Sequence, residues 1–185
     1  MPTHLVTMHA ALLSQAMRTS RQVDSASIRI WRSDPETSAV AHVEVEPCRC
    51  FKQEIAGWTL NLDQRLLTAL AELRAAKLPN ETGGVLIGHY NLKRRFIYVV
   101  DTIPSPPDSA EWPTLYIRGS EGLLPQVKEM ATRTGGQLEY VGEWHSHPDA
   151  CWRSEISIAS WGWGFCVKDG GWCFEAEACA GSGVE

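Results

Sequence analysis

The sequence predicts an α/β fold of the α+β type, in which a mixed central β-sheet is flanked by helices. Strand-like and helix-like periodicities follow one another in the order β-β-α-β-β-α-β, the pattern of helices packed on one sheet. The chain has 185 residues, of which 44% are hydrophobic and 21% charged, enough for one globular core. We therefore expect one domain over residues 28–150, with atypical segments at 1–27 and 151–185.

The first predicted elements are a hairpin and a helix. The stretches "IRIWR" (28–32) and "AVAHVEVEP" alternate apolar and polar residues, as half-buried strands do. A helix over 62–77 is then predicted, with Asn61 as N-cap and Pro79 as the stop. Its apolar positions recur at helical spacing: Leu62, Leu66, Leu70 and Leu73.

The second half predicts two strands, a helix and a further strand. The apolar runs "GGVLIGHY" and "FIYVV" indicate buried strands joined by the charged turn "NLKRR". The proline-rich stretch "PSPPDSAEWP" predicts a surface loop. A helix follows, ended by the glycines of "RTGGQ", and "LEYVGEW" returns as a strand. The apolar face of that helix comprises Leu123, Leu124, Val127, Met130 and Ala131.

Composition and the N-terminal segment exclude several protein classes. Residues 1–27 carry no secretion signal and are predicted to be a disordered tail. No apolar run reaches the length of a membrane span, and the six cysteines form no regular framework, so we expect a cytoplasmic protein. The net charge of -5 and the lack of a basic run argue against nucleic acid as a partner.

One motif carries metal chemistry. In "YVGEWHSHPDA", His145 and His147 stand two apart near a strand end, which puts both imidazoles on one face. Zn²⁺ suits imidazole, and a catalytic zinc usually has three protein ligands and a water. The motif alone is weak, because paired surface histidines are more often solvated. Glu81, which opens "ETGGVLIG", can meet them at one sheet edge and act as a general base.

Together, "ETGGVLIG" and the "GEWHSHP" that follows about sixty residues later resemble the JAMM metallopeptidase family, also called MPN or JAB, and its bacterial single-domain members. The resemblance covers roughly residues 28–150. It implies an MPN/JAB-like sheet flanked by helices, with Zn²⁺ held by two histidines and an aspartate. Applied to this chain, the resemblance implies that His145 and His147 are metal ligands and that Glu81 is the base that takes a proton from the zinc-bound water.

The same resemblance implies a reaction and a class of partner. The reaction is hydrolysis of a peptide or isopeptide bond in a protein or peptide substrate, often at the C-terminus of a ubiquitin-like protein. Some bacterial relatives resemble partners of ubiquitin-transfer-like enzymes. The alternative is a catalytically inactive MPN-like scaffold that lacks a complete zinc site.

The chain departs from the family pattern after the second histidine. The pattern continues with seven residues, a serine, two residues and an aspartate, but Glu155 and Ile158 occupy those two positions. A slip of one residue makes Ser154 the oxyanion-stabilising serine and leaves Ser157 in place of the aspartate. The third ligand is therefore missing. The nearby substitutes are Asp149, Cys151, Glu155 and Asp169.

The composition changes where the motif fails. Residues 151–185 hold four of the eight tryptophans and four of the six cysteines, without helical or strand period. One hypothesis explains both breaks: a frameshift or sequencing error replaced the native C-terminus after about Ala150. Reading the gene in all three frames tests it, because another frame should then restore S-x-x-D and an amphipathic helix. The rival is a genuine divergent tail.

Overall fold

The computed structural model describes residues 3–19, 28–33, 36–45, 49–55, 57–147, 153–158, 166–168 and 171–173. The elements in chain order are α1 (Thr3–Thr19), β1 (Ile28–Ser33), β2 (Val40–Val45), β3 (Cys50–Ile55), β4 (Trp58–Asp63), α2 (Gln64–Lys77), β5 (Gly83–Asn91), β6 (Phe96–Pro104), β7 (Ala110–Trp112), β8 (Leu115–Ile117), α3 (Leu123–Arg133), β9 (Glu139–His147), β10 (Arg153–Ile158), β11 (Cys166–Lys168) and β12 (Gly171–Cys173).

A six-stranded sheet in the order β10-β9-β5-β6-β4-β3 forms the centre of the fold. Strands β4 and β6 pair parallel, and the other neighbours pair antiparallel, so the sheet is mixed as predicted. The predicted hairpin of β1 and β2 is confirmed, but it forms its own two-stranded sheet. Strands β7 and β8 form another two-stranded sheet inside the proline-rich segment.

The sheet is covered by helices on both faces, which confirms the predicted fold class. Helix α2 contributes to one cluster of buried side chains, together with β4 and the buried Trp144 of β9. Helices α1 and α3 contribute to a second cluster. Adjacent residues of β5 show the division, since Leu86 belongs to the first cluster and Val85 and Ile87 to the second. Within the described ranges, no helix is long and apolar enough to cross a membrane.

The prediction of a disordered tail over 1–27 is wrong for residues 3–19, which form α1. Leu5, Met8 and Leu12 recur at helical spacing and are buried in the second cluster. Gln15 donates from Nε2 to the carbonyl oxygen of Val99 in β6 at 2.9 Å. Amphipathic packing on the sheet therefore orders a segment that propensity alone leaves undecided.

The start of α2 differs from the prediction by two residues. Asp63, not Asn61, is the N-cap, and its Oδ1 accepts from the backbone N–H of Leu66 at 2.9 Å. Asn61 and Leu62 lie in β4, a strand that the helical pattern obscured. The Asn61 side-chain amide donates to the carbonyl oxygen of Thr59 at 3.2 Å. The predicted end of the helix at residue 77 is confirmed.

The remaining predicted elements are confirmed with small changes in length. The strands "GGVLIGHY" and "FIYVV" are β5 and β6, the second helix is α3, and the strand before the histidines is β9. After α3, Gly135 and Gly136 adopt φ of +60° and +76°, a conformation that glycine tolerates best. The sequence from Cys151 onward showed no period, yet residues 153–158 pair with β9 as an edge strand.

Candidate functional site

The site lies where β5 begins and β9 ends. These antiparallel strands pair with Gly83 opposite His145. One step further out, the Ser146 N–H donates to the Thr82 carbonyl at 2.7 Å, and the Thr82 N–H donates to Ser146 Oγ at 3.1 Å. This register brings Glu81, the residue before Thr82, level with His147, the residue after Ser146. Two residues that are 66 positions apart in sequence thereby become neighbours.

Those two residues are Glu81 and His147. The distance from Glu81 Oε1 to His147 Nδ1 is 3.1 Å, within hydrogen-bond range. Glu81 is only 7% exposed, so its carboxylate is held in a largely dry environment. The Glu81 N–H donates to the carbonyl oxygen of Trp112 at 2.8 Å, which fixes the backbone at this point. A buried carboxylate beside an imidazole can accept and release a proton.

The two histidines lie side by side on one face of β9. Their ring centroids are 4.8 Å apart, with 67° between the ring planes. Trp144 and Ser146 alternate with them and are fully buried, so the strand is anchored on its other face. Arg74 of α2 donates from a terminal nitrogen to the carbonyl oxygen of His147 at 3.3 Å. The imidazole pair therefore ends a strand whose backbone is restrained by the core.

The β7–β8 hairpin is tied to the same edge by an acidic side chain. Glu111 accepts from Thr82 Oγ1 at 2.6 Å and from Lys77 Nζ at 2.7 Å. Burial by itself would raise the pKa of Glu111, but the hydrogen bonds from Lys77 and Thr82 outweigh it and hold that pKa below its ordinary value. At neutral pH the carboxylate is charged and links the hairpin to both α2 and β5.

Tyr116 of β8 is a site residue that the sequence reasoning missed. Its ring is stacked on His145, with centroids 6.4 Å apart and 20° between the planes. Its hydroxyl lies 3.3 Å from Ser105 Oγ, and burial raises the pKa of Tyr116, so the hydroxyl is protonated at neutral pH and can donate. The signal available was the short run of apolar and aromatic residues in "TLYIR", which the prolines around it concealed.

The adjacent glycines of "ETGGVLIG" let the backbone pass close to other groups. A Cβ on Gly83 would lie 2.5 Å from Cε1 of Tyr116 and would collide with the carbonyl oxygen of Trp144. A Cβ on Gly84 would collide with the carbonyl oxygen of Ile103. Both glycines are needed for the close approach of strands and ring at this edge.

The sequence predicts that the third metal ligand is missing, and the described side chains do not supply one. Within them, no three or more His, Cys, Asp or Glu residues form a group that could hold a metal ion. Asp149, Cys151 and Asp169 lie outside the described residues. In the pairing of β10 with β9, Glu155 is opposite His145.

Ser154 is paired with Ser146, which alternates with the histidines along β9. This register does not set Ser154 opposite either histidine, and its role in binding an oxyanion stays a prediction.

Two tryptophans near this part of the fold have different surroundings. Trp144 is 1% exposed and donates from Nε1 to Thr102 Oγ1 at 2.8 Å, so it is a core residue. Trp112 is 49% exposed on the β7–β8 hairpin. Leu115 and Ile117, on the facing strand of that hairpin, are also exposed. The hairpin therefore carries an exposed apolar face.

Comparison with known proteins gives two findings. Residues 63–151 match the family model described as prokaryotic homologs of the JAB domain. A CD-NTase/cGAS isopeptidase of Enterobacter hormaechei subsp. hoffmannii (strain UCI 50) is 44% identical to this chain over 117 residues. That alignment covers 60% of this chain and 63% of the relative. The family match contains Glu81, His145 and His147 and ends where the composition of the chain changes.

Proposed function

Because residues 63–151 match the model of prokaryotic homologs of the JAB domain, we propose that this chain is a JAB-type, zinc-dependent hydrolase of peptide or isopeptide bonds in a protein substrate. The observation that carries this proposal is the 3.1 Å approach of Glu81 Oε1 to His147 Nδ1, beside the ring of His145. Two imidazoles and a buried carboxylate correspond to two metal ligands and a general base, groups that a metal-dependent hydrolase uses.

The donor chemistry fits zinc, although the described side chains supply only two of the three expected protein ligands. His145 and His147 would hold the ion, and Nε2 is the nitrogen we assign to His147, because its Nδ1 faces Glu81. Zinc, when bound, lowers the pKa of a coordinated water and polarises the carbonyl to be attacked. Glu81 takes the proton that the attacking water loses and delivers it to the leaving amine.

The third ligand is best sought in β10. In the pairing of β10 with β9, Glu155 is the register partner of His145. This supports Glu155 as the replacement for the family's aspartate. A Glu155→Gln variant should then bind zinc at least ten-fold more weakly than the wild type. The frameshift hypothesis makes the opposite prediction, because the true ligand would lie in another reading frame and Glu155→Gln would change nothing.

The substrate class follows from the relative. It is named an isopeptidase of CD-NTase/cGAS, and we extend that name to this chain as a proposal, with a CD-NTase joined through an isopeptide bond as the substrate. A ubiquitin-like protein at the other side of that bond agrees with the family resemblance. The exposed Trp112 of the β7–β8 hairpin is available for contact with a protein substrate.

Zinc content and turnover test the proposal. Elemental analysis of the purified wild type should give close to one zinc per chain, and His145→Ala should lose it. Glu81→Gln should keep the zinc and lose cleavage of an isopeptide-linked CD-NTase conjugate by a factor of about 100 or more. Full activity in Glu81→Gln would refute the assigned base.

A non-catalytic scaffold is the second candidate. The observation that favours it is the absence, among the side chains that the structure describes, of a three-ligand cluster. A scaffold should contain zinc near zero in the same elemental analysis, and its melting temperature should not respond to a chelator. The two functions are therefore separated before any substrate is known.

A further inference from the structure

We propose that Tyr116 is a positioning residue that fixes the imidazole plane of His145. The inference rests on the proposed function, in which His145 is a metal ligand. A ligand histidine must present its nitrogen along one direction, and outer groups that hold its ring in place contribute to metal affinity. Tyr116 meets that need through the near-parallel stack of the two rings, at 20° and 6.4 Å between centroids.

The packing around Tyr116 makes it a fixed support. On one side its ring lies against Gly83, the residue that pairs with His145 across the strands. At its end the hydroxyl is 3.3 Å from Ser105 Oγ, in the segment that follows β6. The ring therefore bridges three parts of the chain that meet at the site. A side chain at position 83 would remove the space that the ring occupies.

The strand that carries Tyr116 is itself held in place. Trp112 and Leu115 are cross-strand partners in the hairpin, and the Trp112 carbonyl accepts from the Glu81 N–H at 2.8 Å. Glu111, the partner of Tyr116 across the hairpin, bonds both Thr82 and Lys77. Glu111 and Tyr116 thus form one pair directed at the site, and the partners Trp112 and Leu115 are both 49% exposed.

The test uses Tyr116→Leu and Tyr116→Met, which remove the aromatic face but keep apolar volume, and Tyr116→Phe, which keeps the face. Leu115→Ala on the same strand is the matched control. Two readouts are needed: Co²⁺ affinity by chelator competition, and the His145 ring signals in proton–nitrogen NMR spectra of the metal-free protein, assigned with His145→Ala.

The expected result is a loss of about ten-fold or more in Co²⁺ affinity for Tyr116→Leu and Tyr116→Met. Tyr116→Phe and Leu115→Ala should stay within about three-fold of the wild type. In the metal-free spectra the His145 signals of the two aliphatic variants should broaden or double, because the imidazole is no longer held in one orientation. The His145 signals of Tyr116→Phe should stay sharp, and the His147 signals should stay nearly unchanged in all variants.

Unchanged Co²⁺ affinity in a folded aliphatic variant would overturn the proposal, whatever the His145 signals do. A wild type that binds no Co²⁺ would instead refute the metal site. The NMR comparison then decides the remaining point, since sharp, single His145 signals in the aliphatic variants refute positioning by Tyr116 and broadened or doubled signals uphold it. Because two aliphatic variants are made, a folding failure of one leaves the test intact.

Discussion

Gly83 and Gly84 differ in what an added methyl group would meet, and this difference separates function from stability. The Cβ of an alanine at 83 would collide with the Trp144 carbonyl and press on the ring of Tyr116. At 84 it would collide with the Ile103 carbonyl, away from Tyr116. We expect each variant to lose about 1–3 kcal/mol of unfolding free energy, the typical cost of overpacking.

Metal affinity should distinguish the two glycines. Gly83→Ala should weaken Co²⁺ or Zn²⁺ binding by about ten-fold, because it displaces the support of His145. Gly84→Ala should alter binding by less than about three-fold at a similar loss of stability. Urea unfolding and chelator competition on both variants supply the measurements. Equal losses of affinity would show that strain in β5, and not Tyr116, transmits the effect.

At the scale of elements, helix α1 is a part of the core. Leu5 is 1% exposed and Leu13, two turns further on, is 47% exposed. Leu5→Ala should therefore lower the unfolding free energy by about 2–5 kcal/mol, the usual cost of a cavity in a packed core. Leu13→Ala, the matched control, should change it by less than about 0.5 kcal/mol. Urea unfolding of both variants is the measurement, and equal small effects would restore the disordered-tail prediction.

The β7–β8 hairpin is an element whose attachment depends on pH. Folding lowers the pKa of Glu111 from its ordinary value of 4.5, so the charged form contributes stability that is present above that value and is lost as the pH falls through the lower folded pKa. Glu111→Gln should be less stable than the wild type by about 1 kcal/mol at pH 7, since Lys77 is half-exposed.

The stability difference between the wild type and Glu111→Gln should shrink below about pH 4.5. Chemical unfolding of both proteins from pH 3 to 7 measures it, with Glu129→Gln as the control for a more exposed ion pair, on α3. A difference that is constant over this range would contradict the assigned cause of the lowered pKa.

At the scale of the whole molecule, the histidines lie in the part of the central sheet where β5, β9 and β10 are neighbours. A metal ion held there would join strands that are distant in sequence, and a ligand that binds only the folded state raises its stability. With zinc at 100 times its dissociation constant the gain would be about 2.7 kcal/mol.

Removal of metal is therefore expected to lower the melting temperature of the wild type by several degrees. His145→Ala and His147→Ala should not respond to the chelator, because neither retains the imidazole pair. Scanning calorimetry with and without EDTA, followed by zinc addition, supplies the measurement. A response in the double variant of both histidines would place the metal elsewhere in the chain.

The amino-acid sequence by itself determined the sheet with its flanking helices and the meeting of Glu81 with the histidines. Strand alternation is a local property, so His145 and His147 must share a face wherever β9 lies. The glycines after Glu81 indicate a close backbone approach, because glycine has no Cβ. The register that sets Gly83 opposite His145 then brings the carboxylate to the imidazole.

Only the tertiary structure decided which residues support that site. Tyr116 stacks on His145, α1 packs on the sheet, Trp144 is buried, and Asp63 caps α2 in place of Asn61. The first three depend on contacts between residues that are distant in the chain. The cap depends on where β4 ends, which its pairing with neighbouring strands determines. Local periodicity carries no information about such contacts. The same pattern of apolar residues is compatible with several tertiary arrangements, and only the surface that packs against it selects one of them.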